Sequence, residues 1–163
     1  MPNVERLQIY HCPICGNIVE VLTAGGGELV CCGEPMRLLA ENTVDASKEK
    51  HVPVIDMPQA VKKDEIMKLT VSVGKQIAHP NTTAHHIAYI EVFFHPDGEK
   101  FPVLIGRSEF SAHGAGAQGV DTGTIYTHPE VSVAFKAGKP GKVLAMSYCN
   151  IHGLWSSSAD LKF

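Results

Sequence analysis

Cys12, Cys15, Cys31 and Cys32 crowd into the first 32 of 163 residues, and Cys149 stands alone near the C-terminus. No other feature limits the possible folds so strongly. The segment 1–38 holds too few apolar side chains to bury a stable core, so a bound metal is expected to supply much of its folding free energy. In Cys12-Pro13-Ile14-Cys15 the two-residue spacer lets both sulfurs enter one turn, and Gly16 follows where the backbone must bend sharply. Cys31 and Cys32 have no spacer, so both reach one metal only with local distortion, and an irregular tetrahedron is expected. Four thiolates suit iron or zinc, and spacing alone does not choose between them.

An odd number of cysteines, with no basic stretch and apolar run at the N-terminus, argues against a disulfide framework. Thiolates used as ligands in a reducing compartment follow, and the cytoplasm is the expected location. The net charge of −3 leaves no basic footprint for nucleic acid. No apolar run approaches the ~20 residues that span a bilayer.

The chain reads as two parts, a module over 1–38 and a larger domain over 39–163, with Leu39–Lys50 as a polar linker and loop. In the module, Leu7–Tyr10 and Ile18–Leu22 are short β-like runs and Gly25-Gly26-Gly27 makes a tight return. Farther on, Lys68–Val73 and Val131–Phe135 alternate apolar and polar residues. Val52–Ile55, His86–Phe94 and Lys142–Tyr148 have strand-like composition. Turns at Asp97-Gly98, Gly138 and Pro140-Gly141 separate these runs. The pattern predicts an all-β protein whose larger domain is an antiparallel sandwich. The Gly-, Ala- and Ser-rich stretch Gly106–Gly123 reads as a long loop, and no amphipathic helix is expected.

The histidines form the second constellation. His51 precedes a short strand, His79 and His85 share one loop, and Cys149 and His152 close a turn after the last predicted strand. Loops at strand ends can gather these side chains around one ion. His11, His95, His113 and His128 lack matching partners and are expected at the surface. Trp155 and Tyr148 are expected to pack against the sandwich.

The runs CPIC…ELVCCGEPM, EKHVPVI, HPNTTAHHIAYIE and SYCNIHGLW together resemble the superoxide reductases of the desulfoferrodoxin and neelaredoxin family. The first run resembles the desulforedoxin module, and the other three resemble the signatures of the catalytic domain. This resemblance implies a seven-stranded immunoglobulin-like sandwich and two iron ions per chain, although zinc would also suit the four-cysteine site. Carried over, the catalytic iron would take His51, His79, His85 and His152 roughly in a plane, with the Cys149 thiolate axial. The spacing in HPNTTAHH favours His85 over His86. Glu49 would be the carboxylate that binds the oxidised iron, and Lys50 the cation that draws in superoxide. Backbone N–H groups of Asn150 and Ile151 would tune the Cys149 sulfur. The implied partners are superoxide and a rubredoxin-like electron donor, in a homodimer or homotetramer. Gly106–Thr127 is longer than in short two-iron desulfoferrodoxins and resembles one-iron neelaredoxins.

Three other readings compete. A copper electron-transfer protein would suit a cysteine with histidines, but four histidines exceed the trigonal His₂Cys pattern. A zinc-ribbon adaptor leaves the histidines without a role. A superoxide dismutase would use a similar centre without an external donor.

Overall fold

The computed structural model describes residues 4–40 and 48–163. It divides into two compact units, Met1–Thr43 and Val44–Phe163. Most of the linker expected at 39–50 lies outside the described residues. No helix among the described residues is long and apolar enough to cross a membrane.

In the first unit, β1 (Ile9–His11) lies between β2 (Ile18–Glu20) and β5 (Arg37–Leu39) in an antiparallel sheet. A two-stranded hairpin joins β3 (Val30–Cys31) to β4 (Glu34–Pro35). The expected strand at Leu7 starts later because Leu7 has φ 63° and hands its N–H to Val21 O at 2.8 Å. The core is small: Val4, Tyr10 and Val21, with Leu29 and Met36 packed against them. Burying a large apolar side chain contributes roughly 1.5–3 kcal/mol. So few of them cannot offset the backbone entropy of about 40 residues at ~1–2 kcal/mol each.

The second unit opens on a single helical turn, α1 (Lys48–His51). Seven antiparallel strands then form two sheets, as expected. One has the order β10-β7-β6, from β6 (Val54–Asp56), β7 (Met67–Ser72) and β10 (Glu130–Phe135). The other has the order β12-β11-β8-β9, from β8 (Ile87–Pro96), β9 (Val103–Glu109), β11 (Gly141–Cys149) and β12 (Gly153–Leu161). Alternation works as it does in any half-buried sheet. Leu69 and Val71 point into the core while Lys68 is exposed, and Ile90, Val92, Val143 and Ala145 meet them from the other sheet.

Two differences from the expected strands have clear causes. The Gly-rich stretch does not begin as loop. Gly106 lies within β9, where the side chain of Val133 on the facing sheet occupies the space a Cβ would need. Strand β12 was not expected because Ser156, Ser157 and Ser158 hide its period, yet it pairs with β11 from Gly153 to Leu161.

Candidate metal centres

The first cluster is built by two turns. In the Cys12–Cys15 turn, Gly16 takes φ 81° and returns its N–H to Cys12 O at 3.0 Å. The other is the β3–β4 hairpin, whose two linking residues Cys32 and Gly33 have φ 52° and 82°. Two consecutive positive φ values are the mark of the type I′ turn that right-twisted strands prefer. This is the local distortion expected of adjacent cysteines, since Cys32 adopts a left-handed conformation that favours glycine or asparagine. Cys15 and Cys31 sulfurs stand 3.6 Å apart and those of Cys31 and Cys32 3.9 Å apart. These separations are far beyond an S–S bond of about 2 Å. They match the edge of a tetrahedron with metal–sulfur bonds of about 2.3 Å.

Charge favours a cation in the same place. The backbone N–H of Cys15, helped by that of Ile14 and opposed by burial, holds the Cys12 thiol down at about 6. The neighbouring Cys15 and Cys31 sulfurs push Cys32 up to about 12. One thiolate therefore forms readily, and further ones resist forming without a positive ion among them. Cys15 and Cys32 are exposed, so this centre lies at the surface of its unit.

The second cluster lies at one end of the sandwich. His51 ends α1, and its carbonyl accepts the Ser147 hydroxyl at 3.1 Å, which fastens the turn to β11. His79 and His85 come from the loop between β7 and β8. That loop folds back closely at Gly74, which has φ 75° and where a Cβ would stand 2.5 Å from His79 N. Cys149 ends β11, and His152 follows in the turn to β12.

The four imidazoles form a square. Ring centroids are 4.7 Å apart for His51–His79, His79–His85 and His51–His152, and 4.9 Å apart for His85–His152. The His51–His85 diagonal is 6.3 Å, close to that of a planar square of this side. Adjacent rings are nearly perpendicular and the opposed His51 and His85 are inclined by 27°. Half the diagonal, less a ring radius of about 1.2 Å, leaves about 2 Å, the usual metal–nitrogen distance. The Nε2 atoms of His79 and His85 are buried without a hydrogen-bond partner. Ligand atoms of His51, His85, Cys149 and His152 lie within 4.8 Å of one another; His79 is not in that close group and joins the site through its ring contacts to His51 and His85 and its orphaned Nε2. A metal ion fits this donor set and would satisfy the orphaned nitrogens, each of which is otherwise costly to bury.

Surrounding groups tune the donors. Burial, with the positive potential of the other imidazoles, lowers His79 to about 4 although the Pro80 carbonyl works against it. Burial, then His152 and His51, lowers His85, and Lys50 adds a smaller push. Cys149 is fully buried, and its sulfur lies 3.4 Å from the His152 backbone N–H and 3.7 Å from His152 Nδ1. The Asn150 N–H does not serve the sulfur as expected, because it donates to His86 O at 3.1 Å. Trp155, 1% exposed, stacks on His51 with centroids 4.8 Å apart. Glu49 and Lys50 share α1 with His51. Glu49 is exposed and does not belong to the close group of ligand atoms, and Lys50 is partly exposed.

One expectation is corrected. His113 is not at the surface: it is 7% exposed and stacks on His86 with centroids 3.7 Å apart and planes inclined by 12°. Its burial lies in a Gly-rich stretch with no strand or helix period, so no local pattern signals it. His128 is exposed, and His11 and His95 are partly exposed.

Comparison with known proteins identifies the family of both units. The desulfoferrodoxin family pattern matches residues 43–158, and the pattern of the desulfoferrodoxin N-terminal domain matches residues 4–39. The desulfoferrodoxin of Syntrophotalea carbinolica is 46% identical over 153 residues, covering 94% of this chain and 97% of its own. The superoxide reductase of Pyrococcus furiosus is 49% identical over 118 residues, covering 72% of this chain and 93% of its own. Among solved structures, the superoxide reductase (neelaredoxin) of Archaeoglobus fulgidus in the reduced form aligns with a TM-score of 0.66. Its sequence is 55% identical, over 71% of this chain and 93% of its own. With both cysteine and histidine clusters assembled and both parts of the chain matched, the protein belongs to the desulfoferrodoxin family.

Proposed function

We propose that the protein is a superoxide reductase, an oxidoreductase that converts superoxide to hydrogen peroxide with one electron from an external donor. The observation that carries this reading is the imidazole square of His51, His79, His85 and His152 beside the buried Cys149 sulfur. These five residues would hold the reactive iron. Cys12, Cys15, Cys31 and Cys32 would hold a second iron, in a site whose chemistry also suits zinc. When bound, a ferrous ion in the five-ligand set supplies the single electron that superoxide accepts. The functional division follows the chain, with 1–38 as the four-thiolate module and 39–163 as the catalytic sandwich.

The chain's own residues prepare the site. Lowered His79 and His85 pKa values keep these rings neutral near pH 7, with lone pairs free to bind a cation. Four neutral rings and one thiolate leave a bound divalent ion with net positive charge, which attracts a small anion. Lys50 lies next to His51 and its charge is felt at His85, which supports a role in guiding superoxide inward. Such steering raises association roughly 10 to 10³-fold and fades with ionic strength. Glu49, exposed on the same turn, would offer a carboxylate oxygen to the oxidised centre. The His152 N–H disperses negative charge on the Cys149 sulfur. Each superoxide takes up one electron and two protons, and water or Lys50 supplies the protons.

Exposure of Cys15 and Cys32 supports the four-thiolate unit as the place where donor electrons arrive. A rubredoxin-like donor, a cytoplasmic location and a homodimer or homotetramer complete the proposal. The test is the yield of peroxide and oxygen during steady superoxide generation, with and without a reduced rubredoxin-type donor, corrected for spontaneous dismutation. About one peroxide per superoxide and one donor electron per turn are expected. Sustained turnover without donor, with half a peroxide and half an oxygen per superoxide, would instead make the protein a dismutase.

A further inference from the structure

The Gly-rich stretch between β9 and β10 has no part in the chemistry above, yet it contains a buried imidazole beside the ligand loop. Its two legs run side by side, with Thr127 N–H and hydroxyl both donating to Ala112 O, at 2.7 and 3.0 Å. Gly114 and Gly123 permit the close return: Tyr126 and the Ala115 backbone fill the space where their Cβ atoms would be. Asn81, two residues after His79, ties into both legs. Its Nδ2 donates to Thr127 O at 2.8 Å, and its Oδ1 lies 2.6 Å from His113 Nδ1. His113 Nε2 lies 2.7 Å from Phe110 O, where β9 ends. The His113 ring then forms a floor for His86, the neighbour of His85, at 3.7 Å. His86 Nδ1 lies 2.9 Å from Thr82 O, within the turn that carries His85.

We infer that this stretch is a strap whose His113, acting with Asn81, is a positioning residue for His79 and His85. The proposal rests on the metal-site reading above. A loop that supplies two of five ligands loses conformational freedom when it closes on an ion, and a strap that holds it beforehand removes much of that loss. Outer groups that orient ligands commonly matter 10–100-fold for metal retention. His113 is joined to the loop at Asn81, two residues after His79, and at His86, directly after His85, so it restrains the chain beside each of these ligands.

The experiment uses the full chain carrying iron and follows transfer of the histidine-site iron to a chelator, together with the EPR spectrum of the oxidised centre. His113→Ala should release this iron at least tenfold faster and change the EPR spectrum, as a shifted ligand set requires. His113→Phe keeps a ring against His86 but loses the polar contacts of both ring nitrogens, so a folding failure of the alanine variant does not decide the matter. It should release iron at least threefold faster, again with an altered spectrum. Val120→Ser, at an exposed position of the strap, should behave as wild type. Wild-type release and spectrum in His113→Phe, or equal loss in Val120→Ser, overturns the proposal. A wild-type chain that takes up no iron at its histidine site would sink the metal reading itself, and this proposal with it.

Discussion

Asn150 and His86 hold each other by reciprocal hydrogen bonds. The Asn150 N–H donates to His86 O at 3.1 Å, and the His86 N–H donates to Asn150 Oδ1 at 2.8 Å. Asn150 Nδ2 adds a bond to Ala84 O at 2.9 Å. The turn that bears Cys149 and His152 is thus fastened to the loop that bears His85, from both sides of that ligand. Asn150→Ala removes the two side-chain bonds and leaves the backbone one. At about 0.5–1.5 kcal/mol per bond, the catalytic unit should lose about 1–3 kcal/mol. Thermal melting checks this, and the sulfur-to-iron absorption band should shift because the Cys149 turn is freer. An unchanged melt and band would mean the bonds are incidental.

The four-thiolate centre should be dispensable for the chemical step. Its ligands come from one compact unit and those of the histidine centre from the other. Cys15→Ser should abolish the ferric thiolate absorption of that centre and loosen residues 4–40, whose core is only a few side chains. Stopped-flow oxidation of the prereduced variant by superoxide should proceed at near wild-type rate. Retention of the second iron without that oxidation would show the two centres to be tightly coupled.

Lys50 and Glu49 should separate by kinetic phase. Lys50→Ala should slow the second-order reaction with superoxide by roughly tenfold at low salt and flatten its ionic-strength dependence. Glu49→Ala should leave that phase nearly unchanged and shift the ferric spectrum, since water or hydroxide replaces a carboxylate oxygen. Equal effects of both variants on the first phase would refute this division of roles.

Acid should destabilise the metal-free catalytic unit in a defined window. His79 is lowered to about 4 in the fold from an ordinary value of 6.5, chiefly by burial. Between those values the unfolded chain binds more protons than the folded one, so stability rises with pH across the window. The contribution is fully present above about pH 6.5 and is lost as the pH falls toward 4. Urea melts of iron-free protein from pH 7.5 to 4 should show this decline, and His79→Gln should flatten it. A decline of the same size in that variant would assign the acid sensitivity elsewhere.

Much of this protein is local chemistry and so is legible along the chain. The Cys12–Cys15 spacing, with Gly16 after it, defines a knuckle whatever surrounds it, and adjacent Cys31 and Cys32 already require a strained turn. The alternation at Lys68–Val73 and Val131–Phe135 identifies strands β7 and β10, because a period of two needs only its own residues. The segments around His51, His79, His85, Cys149 and His152 could be singled out, but the sequence contains no distances. The square arises because Ser147, Gly74 and Asn150 bring three separate loops together, through contacts between residues up to 96 positions apart. Strand β12 hides behind its serines, since pairing with β11 rather than its own apolar period makes it a strand. His113 hides for a related reason. A glycine-rich segment has no periodicity to reveal which residue is buried, and only its stack on His86 and its bonds to Asn81 and Phe110 decide that. Sequence by itself determined the β class and supplied the candidate donor residues, because composition and spacing are properties of the chain. Tertiary structure alone decided the donors' mutual geometry and the residues that hold them, because both are set by long-range packing.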